Sequence, residues 1–143
     1  MARSEGGFTL IELMIVVVII GILAAISIPN FISMQDRAKE GATKANMHTL
    51  QMAAEDYNIQ NSSSYAPDCA SIAPLLPRGG ADFKNPFNSA DLPYVDGPAW
   101  SVPLPTGSVV PGIVAYQDSL LQKYQIAGRG KSANLSLVLN SGM

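Results

Sequence analysis

The stretch from Phe8 to Ile28 is 21 residues long and holds only three polar side chains, Thr9, Glu12 and Ser27. As a helix rising about 1.5 Å per residue it would extend about 30 Å, the thickness of the hydrocarbon core of a bilayer. A cleaved secretory signal would carry a shorter apolar run of roughly 7 to 15 residues before a small-residue site, and Ala24 and Ala25 are the one trace of such a site. The preceding MARSEGG has one Arg, one Glu and the initiator amine. That weak positive bias predicts a cytoplasmic N-terminus. The segment therefore predicts a single membrane helix, and 143 residues leave room for one modest head beside it.

Glu12 sits four residues into this run. An acid in lipid is costly at the centre and less so near an end, so one reading has it snorkel to the headgroups. The other gives it a cation inside the apolar layer. A cut between Gly7 and Phe8 would create one, because the new amine would lie about one helical turn from position 12 and could also reach the Glu12 of a neighbouring chain. Pairing would offset the desolvation of both groups. The residues alone leave both readings open. Gly21 and Pro29 are unfavourable in a helix interior but tolerated where neighbouring helices satisfy the backbone. They read as a close-packing site and a modest kink.

Beyond Pro29, Phe31, Met34, Ala38, Ala42, Ala45, Met52 and Ala53 recur at helical spacing and predict an apolar stripe. Glu40 with Lys44, and Arg37 with Glu40, predict a solvated face of weak ion pairs. NIQNSSS (58–64) supplies side chains that compete for the backbone and end the helix. One helix is thus expected from Phe8 to Gln60. Residues 61–111 hold nine of the ten prolines and read as loop-rich. Alternation returns in GIVAYQ (112–117), KYQIAG (123–128) and NLSLVLN (134–140), predicting an antiparallel meander over 112–143 with Leu135, Leu137 and Leu139 on one face. The expected class is α+β: one long N-terminal helix, half membrane-spanning and half amphipathic, packed on a small C-terminal antiparallel sheet.

Several functions are excluded or unsupported. Nine Lys and Arg lie scattered among eleven Asp and Glu, so no basic stripe for nucleic acid forms. GRGKS (128–132) lacks the glycine that a phosphate loop needs at position 125, where Gln stands. His48 is the single histidine and Cys69 the single cysteine, so a two-histidine metal site, a thiol cluster and an intrachain disulfide are absent. No catalytic arrangement and no cofactor are expected.

GFTLIELMIVVVIIGILAAISIPNF (7–31) resembles the processing signal of type IV prepilins and of the pseudopilins of type II secretion. The resemblance implies a pilin fold, with 1–7 as leader, 8–29 as membrane and filament-core helix and 30–60 as the amphipathic helix of the head. It implies that a prepilin peptidase and methyltransferase cuts between Gly7 and Phe8 and methylates the Phe8 amine. Glu12 would then pair with the Phe8 amine of another subunit as a homo-oligomeric filament assembles, and the Gly21 to Pro29 stretch could lose helical bonds. An assembly platform and ATPase are implied as indirect partners. The subunit would start as a single-pass inner-membrane protein and end in an extracellular pilus serving adhesion, motility or DNA uptake. The alternative keeps the architecture and builds a periplasmic pseudopilus for protein export. A reading of another class is a signal-anchored ligand-binding protein that never polymerises. KNPFNSADLPYVDG (84–97) loosely resembles the head of major pseudopilins, which makes Asp91 and Asp96 the calcium candidates. The acidic, glycine-rich C-terminal segment of those proteins is missing.

Overall fold

The computed structural model describes residues 7–97 and 110–141. The chain divides into two compact units, Met1–Gln35 and Asp36–Met143. A single helix, α1 (Leu10–Gln60), runs for 51 residues and contains Pro29 in its interior. It stays helical through Gly21 and Pro29. A Cβ built on Gly21 would meet nothing within 4 Å, so close packing inside the single chain is not what places a glycine there.

In the first unit the apolar side chains are open to the surroundings. Leu10, Ile11, Leu13, Val17, Leu23 and Ile28 are each more than half exposed. At its other end α1 stops where sequence chemistry says it should. The Asn61 side chain donates to the Tyr57 carbonyl at 2.9 Å, and Ser62 and Ser63 turn the backbone left-handed, with φ of 57° and 67°. Short hydroxyl side chains tolerate such a reversal better than branched ones.

The second unit is the head. After α1 come a short helix α2 (Cys69–Ile72) and two 3-10 turns at Ala73–Leu75 and Pro77–Gly80. Asp68 caps α2 by accepting from the Ser71 amide at 2.8 Å and its hydroxyl at 2.7 Å. These bonds hold the Asp68 carboxyl below its usual value. Four strands follow: β1 (Tyr94–Asp96), β2 (Val114–Ser119), β3 (Lys123–Arg129) and β4 (Asn134–Asn140). They lie in the order β1-β2-β3-β4. The expected meander is present as antiparallel β2, β3 and β4. The sheet is nevertheless mixed, because β1 adds to β2 in parallel, with Tyr94 opposite Val114. The expectation missed β1 because three residues between Pro93 and Gly97 are too few to show alternation.

The core forms where α1 meets the sheet. Met47, Leu50, Ala53 and Ala54 of α1 pack with Val114, Tyr116, Tyr124 and Ile126 of the strands, and Cys69, Ile72, Leu76 and Phe83 close the side. Leu135, Leu137 and Leu139 line the same core from β4, as their alternation predicts. The stripe expected on the helix is corrected. Phe31, Met34 and Met52 are 60%, 61% and 65% exposed, and of the predicted set only Ala53 is buried. The buried row runs through Thr43, Met47, Leu50 and Ala54 instead. Thr43 can enter it because its hydroxyl donates to the Lys39 carbonyl at 3.0 Å, leaving no polar group unpaired. Glu40, partly exposed on the solvated face, also reaches the head. It accepts from the Lys131 amide at 3.1 Å, while Lys131 Nζ meets Asp36 at 2.6 Å. The turn beside Lys131 comes so close to α1 that a Cβ on Gly130 would lie 2.6 Å from Glu40 Oε1.

Candidate functional site

The start of α1 is the first candidate site, and its geometry follows from the four residues Thr9-Leu-Ile-Glu12. The Thr9 amide donates to Glu12 Oε2 at 2.8 Å, and the Thr9 hydroxyl donates to the same oxygen at 2.6 Å. In return the Glu12 amide donates to Thr9 Oγ1 at 3.3 Å. This is a reciprocal capping box: Thr9 at the N-cap and Glu12 three residues on satisfy backbone donors that the first turn would leave orphaned. A negative charge here also sits at the positive end of the helix dipole. The pattern T-x-x-E ahead of an apolar run carries this signal, and reading Glu12 only as an acid in lipid overlooks it. The carboxylate is thus held over the helix N-terminus by its own chain.

Thr9→Val tests that hold. It keeps the charge at Glu12 and removes the hydroxyl that both donates and accepts. In detergent micelles the amides of residues 10–13 are expected to exchange faster while those of the head keep their protection. Unchanged exchange would show that the cap does not order the first turn.

The other predicted positions are dispersed. Gly7 precedes the helix, and Phe8 is 78% exposed beside the cap. Gly21 and Pro29 lie in the helix interior. Asp91 sits in a turn whose amide reaches the Asn88 carbonyl at 3.0 Å. Asp96 is on β1, where Oδ1 accepts from the Cys69 amide at 2.6 Å. Neither belongs to a group of three or more His, Cys, Asp or Glu side chains able to hold a metal among the described residues.

The head contains a second set of chemical groups that the sequence does not bring together. Tyr65, Tyr116 and Tyr124 form a ring cluster, with Tyr124 at 4.9 Å from Tyr65 and 5.8 Å from Tyr116 between centroids. Tyr124 and Tyr65 donate to the two oxygens of Glu55 at 2.6 Å and 3.3 Å, and Tyr116 donates to the Ala66 carbonyl at 2.8 Å. Burial pushes the Tyr116 and Tyr124 phenols up, and Glu55 adds to the effect at Tyr124. Burial and the neighbouring Asp96 also push the Cys69 thiol up. A neutral thiol in the core is a poor nucleophile, and these groups serve packing and hydrogen bonding.

A capped apolar helix with an open flank, set on a small head of this topology, is the anatomy of a pilin, and comparison with known proteins agrees. A family described as a prokaryotic N-terminal methylation motif matches residues 2–28. The type IV major pilin of Myxococcus xanthus is 42% identical over 105 residues, which is 68% of this chain and 46% of that protein. The type IV narrow pilus major component of Thermus thermophilus is 36% identical over 85 residues, covering 59% of this chain and 71% of that pilin. The type II secretion system core protein G of Pseudomonas aeruginosa is 44% identical over 59 residues, 41% of this chain and 42% of that protein. The chain thus spans less than half the length of the first and last of these relatives. No solved structure gives a significant match. With most of a pilin matched at this identity, the chain belongs to the type IV pilin family.

Proposed function

We propose that this chain is a structural subunit of a type IV pilus, made as a single-pass membrane precursor and polymerised through α1. The observation that carries the reading is the pairing of a reciprocally capped carboxylate with an uncovered apolar helix. Large contiguous apolar surface on a protein needs a cover. An 18-residue window of α1 with mean hydropathy 2.9 has no part of itself buried within the chain. Lipid covers it in the precursor, and copies of the same helix cover it in a filament. A peptidase that cuts between Gly7 and Phe8 supplies the missing cation. The Phe8 amine, methylated, then neutralises the Glu12 of a neighbouring subunit, so that the pair enters the apolar core together and sets the axial step. The membrane platform and ATPase that would drive insertion are indirect partners, and the role is mechanical, with no catalytic step and no cofactor.

A pseudopilus for protein export is the second reading, supported by the 44% identity to a secretion core protein. That alignment is 59 residues long and covers 41% of this chain. The alignments with pilins are longer, at 105 and 85 residues, and therefore extend past the end of α1, which favours the pilus. Calcium at Asp91 and Asp96 belongs to the second reading, and Asp96 already serves the Cys69 amide.

The test is the mass of the N-terminal peptide in material sheared from the cell surface. The expected result is a peptide that begins at Phe8 and carries one added methyl group. A peptide beginning at Met1, found only in membranes, would make the protein a simple anchor.

A further inference from the structure

Glu55 holds two phenols at once. Tyr124 donates to its Oε1 at 2.6 Å and Tyr65 to its Oε2 at 3.3 Å, and the two rings meet edge to face, with centroids 4.9 Å apart and planes at 76°. Of the five tyrosines in the chain, these two alone donate to a carboxylate among the described residues. Tyr116 supplies the contrast. Its ring lies 5.8 Å from that of Tyr124, but its hydroxyl donates to the Ala66 carbonyl. That bond satisfies a buried phenol completely, and the carbonyl that accepts it is no base at neutral pH. Packing the core therefore does not require a carboxylate under the other two rings.

What the carboxylate adds is a place for a proton to go. Burial and the Glu55 charge hold the Tyr65 phenol above its usual value, so its proton does not leave in advance and must leave together with an electron when the ring is oxidised. A base already hydrogen-bonded to the hydroxyl makes that joint loss easy. Glu55 is partly exposed and can hand the proton on to water. Tyr65 is partly buried and Tyr124 wholly so. An oxidant therefore meets Tyr65 first, and the ring contact carries the oxidation inward to Tyr124.

We propose that Tyr65 and Tyr124 form an oxidative modification site, at which a peroxide and a one-electron oxidant of the haem peroxidase class couple the two rings into an intrachain dityrosine. Each phenol loses one electron to the oxidant and one proton to Glu55. The two radicals join through the ring carbons next to their oxygens, and the hydrogens on those carbons move to the oxygens and restore both hydroxyls. One peroxide takes up the two electrons and two protons and leaves as two waters. The new bond ties the segment that follows α1 to β3, where the Tyr65 amide already donates to the Leu121 carbonyl at 2.8 Å. A chain with one cysteine has no intrachain disulfide, and a carbon–carbon link would staple the head in a way that thiols do not reverse. The site lies within a single head and asks nothing of the filament.

The test treats the full chain in detergent micelles with hydrogen peroxide and a haem peroxidase. The expected product is a monomeric chain lighter by two hydrogen atoms, with dityrosine fluorescence, in which mass spectrometry of the digest finds Tyr65 joined to Tyr124. Its melting midpoint should rise by several degrees, because the link restricts the unfolded chain. Tyr65→Phe keeps the ring and should abolish the intrachain product, whereas Tyr116→Phe should leave its yield unchanged. Glu55→Gln keeps the shape and removes the base, so the rate of coupling should fall about tenfold or more. Dityrosine confined to covalent multimers, a link that includes Tyr116, or no link at all would overturn the site. An undiminished rate from Glu55→Gln would overturn the proton acceptor and with it the reason these two rings couple. The tyrosine variants keep the site falsifiable where Glu55→Gln fails to fold.

Discussion

Glu12→Gln is expected to leave the precursor inserted, cut and folded, and to reduce surface filaments by about tenfold or more. Glutamine fills the third position of a capping box nearly as well as glutamate. Its amide oxygen can accept from the Thr9 amide as Glu12 Oε2 does at 2.8 Å. The substitution therefore keeps the local structure and removes only the charge. On the proposed pairing, what it leaves behind is the Phe8 amine of a neighbouring subunit, positively charged and drawn into an apolar core without a partner. Breaking such a pair is far more damaging than never having built it. Counting filaments by electron microscopy, with the processed chain quantified in the membrane fraction, checks the result. Normal filaments from Glu12→Gln, together with poor ones from Thr9→Val, would mean that Glu12 works through the cap and not through the amine. The two variants thus separate roles that Glu12→Ala, which should also lose filaments, would merge.

Much of this architecture is legible in the sequence because composition and period carry it. An uninterrupted apolar run must be helical in lipid, and the alternation of Leu135, Leu137 and Leu139 sets the face of β4 without reference to anything distant. The register of the amphipathic half is a different matter. Hydrophobicity ranks Ala42 and Ala45 with the core and Thr43 with solvent, yet the structure exposes the alanines and buries the threonine. Thr43 satisfies its hydroxyl within its own helix, and alanine loses little by facing water. The partner of Glu40 is 91 residues away in the β3–β4 turn, a separation that no local pattern reports. β1 is invisible for want of length. At the candidate site, the acid is conspicuous and its cap is written in the adjacent T-x-x-E, whereas the tyrosine cluster on Glu55 exists only once α1, β2 and β3 have been placed in three dimensions.

The largest effect expected in the head comes from Gly112→Ala. Gly112 has φ of +83°, where an added side chain is strained regardless of space. There is also no space: the new methyl would run into the Asn85 carboxamide and come within 2.9 Å of the Phe87 ring. Asn85 is 2% exposed and ties the loop to the sheet. Its Nδ2 donates to the Pro111 carbonyl at 2.8 Å, and its Oδ1 accepts from the Phe87 amide at 2.9 Å. Pushing that side chain aside strands buried polar groups in addition to straining the backbone, and the two costs together are expected to reach about 2 to 4 kcal/mol. Thermal unfolding of the full chain in detergent should show the midpoint falling by on the order of 10 °C. Asn85→Ala supplies the internal check, because the two sites are in contact and their effects cannot add. With the carboxamide already removed, Gly112→Ala should cost only its backbone strain and the close approach to the Phe87 ring, so the double variant should be more stable than the sum of the single losses predicts. Strict additivity would mean that the methyl finds room and that the left-handed backbone alone requires glycine at this position.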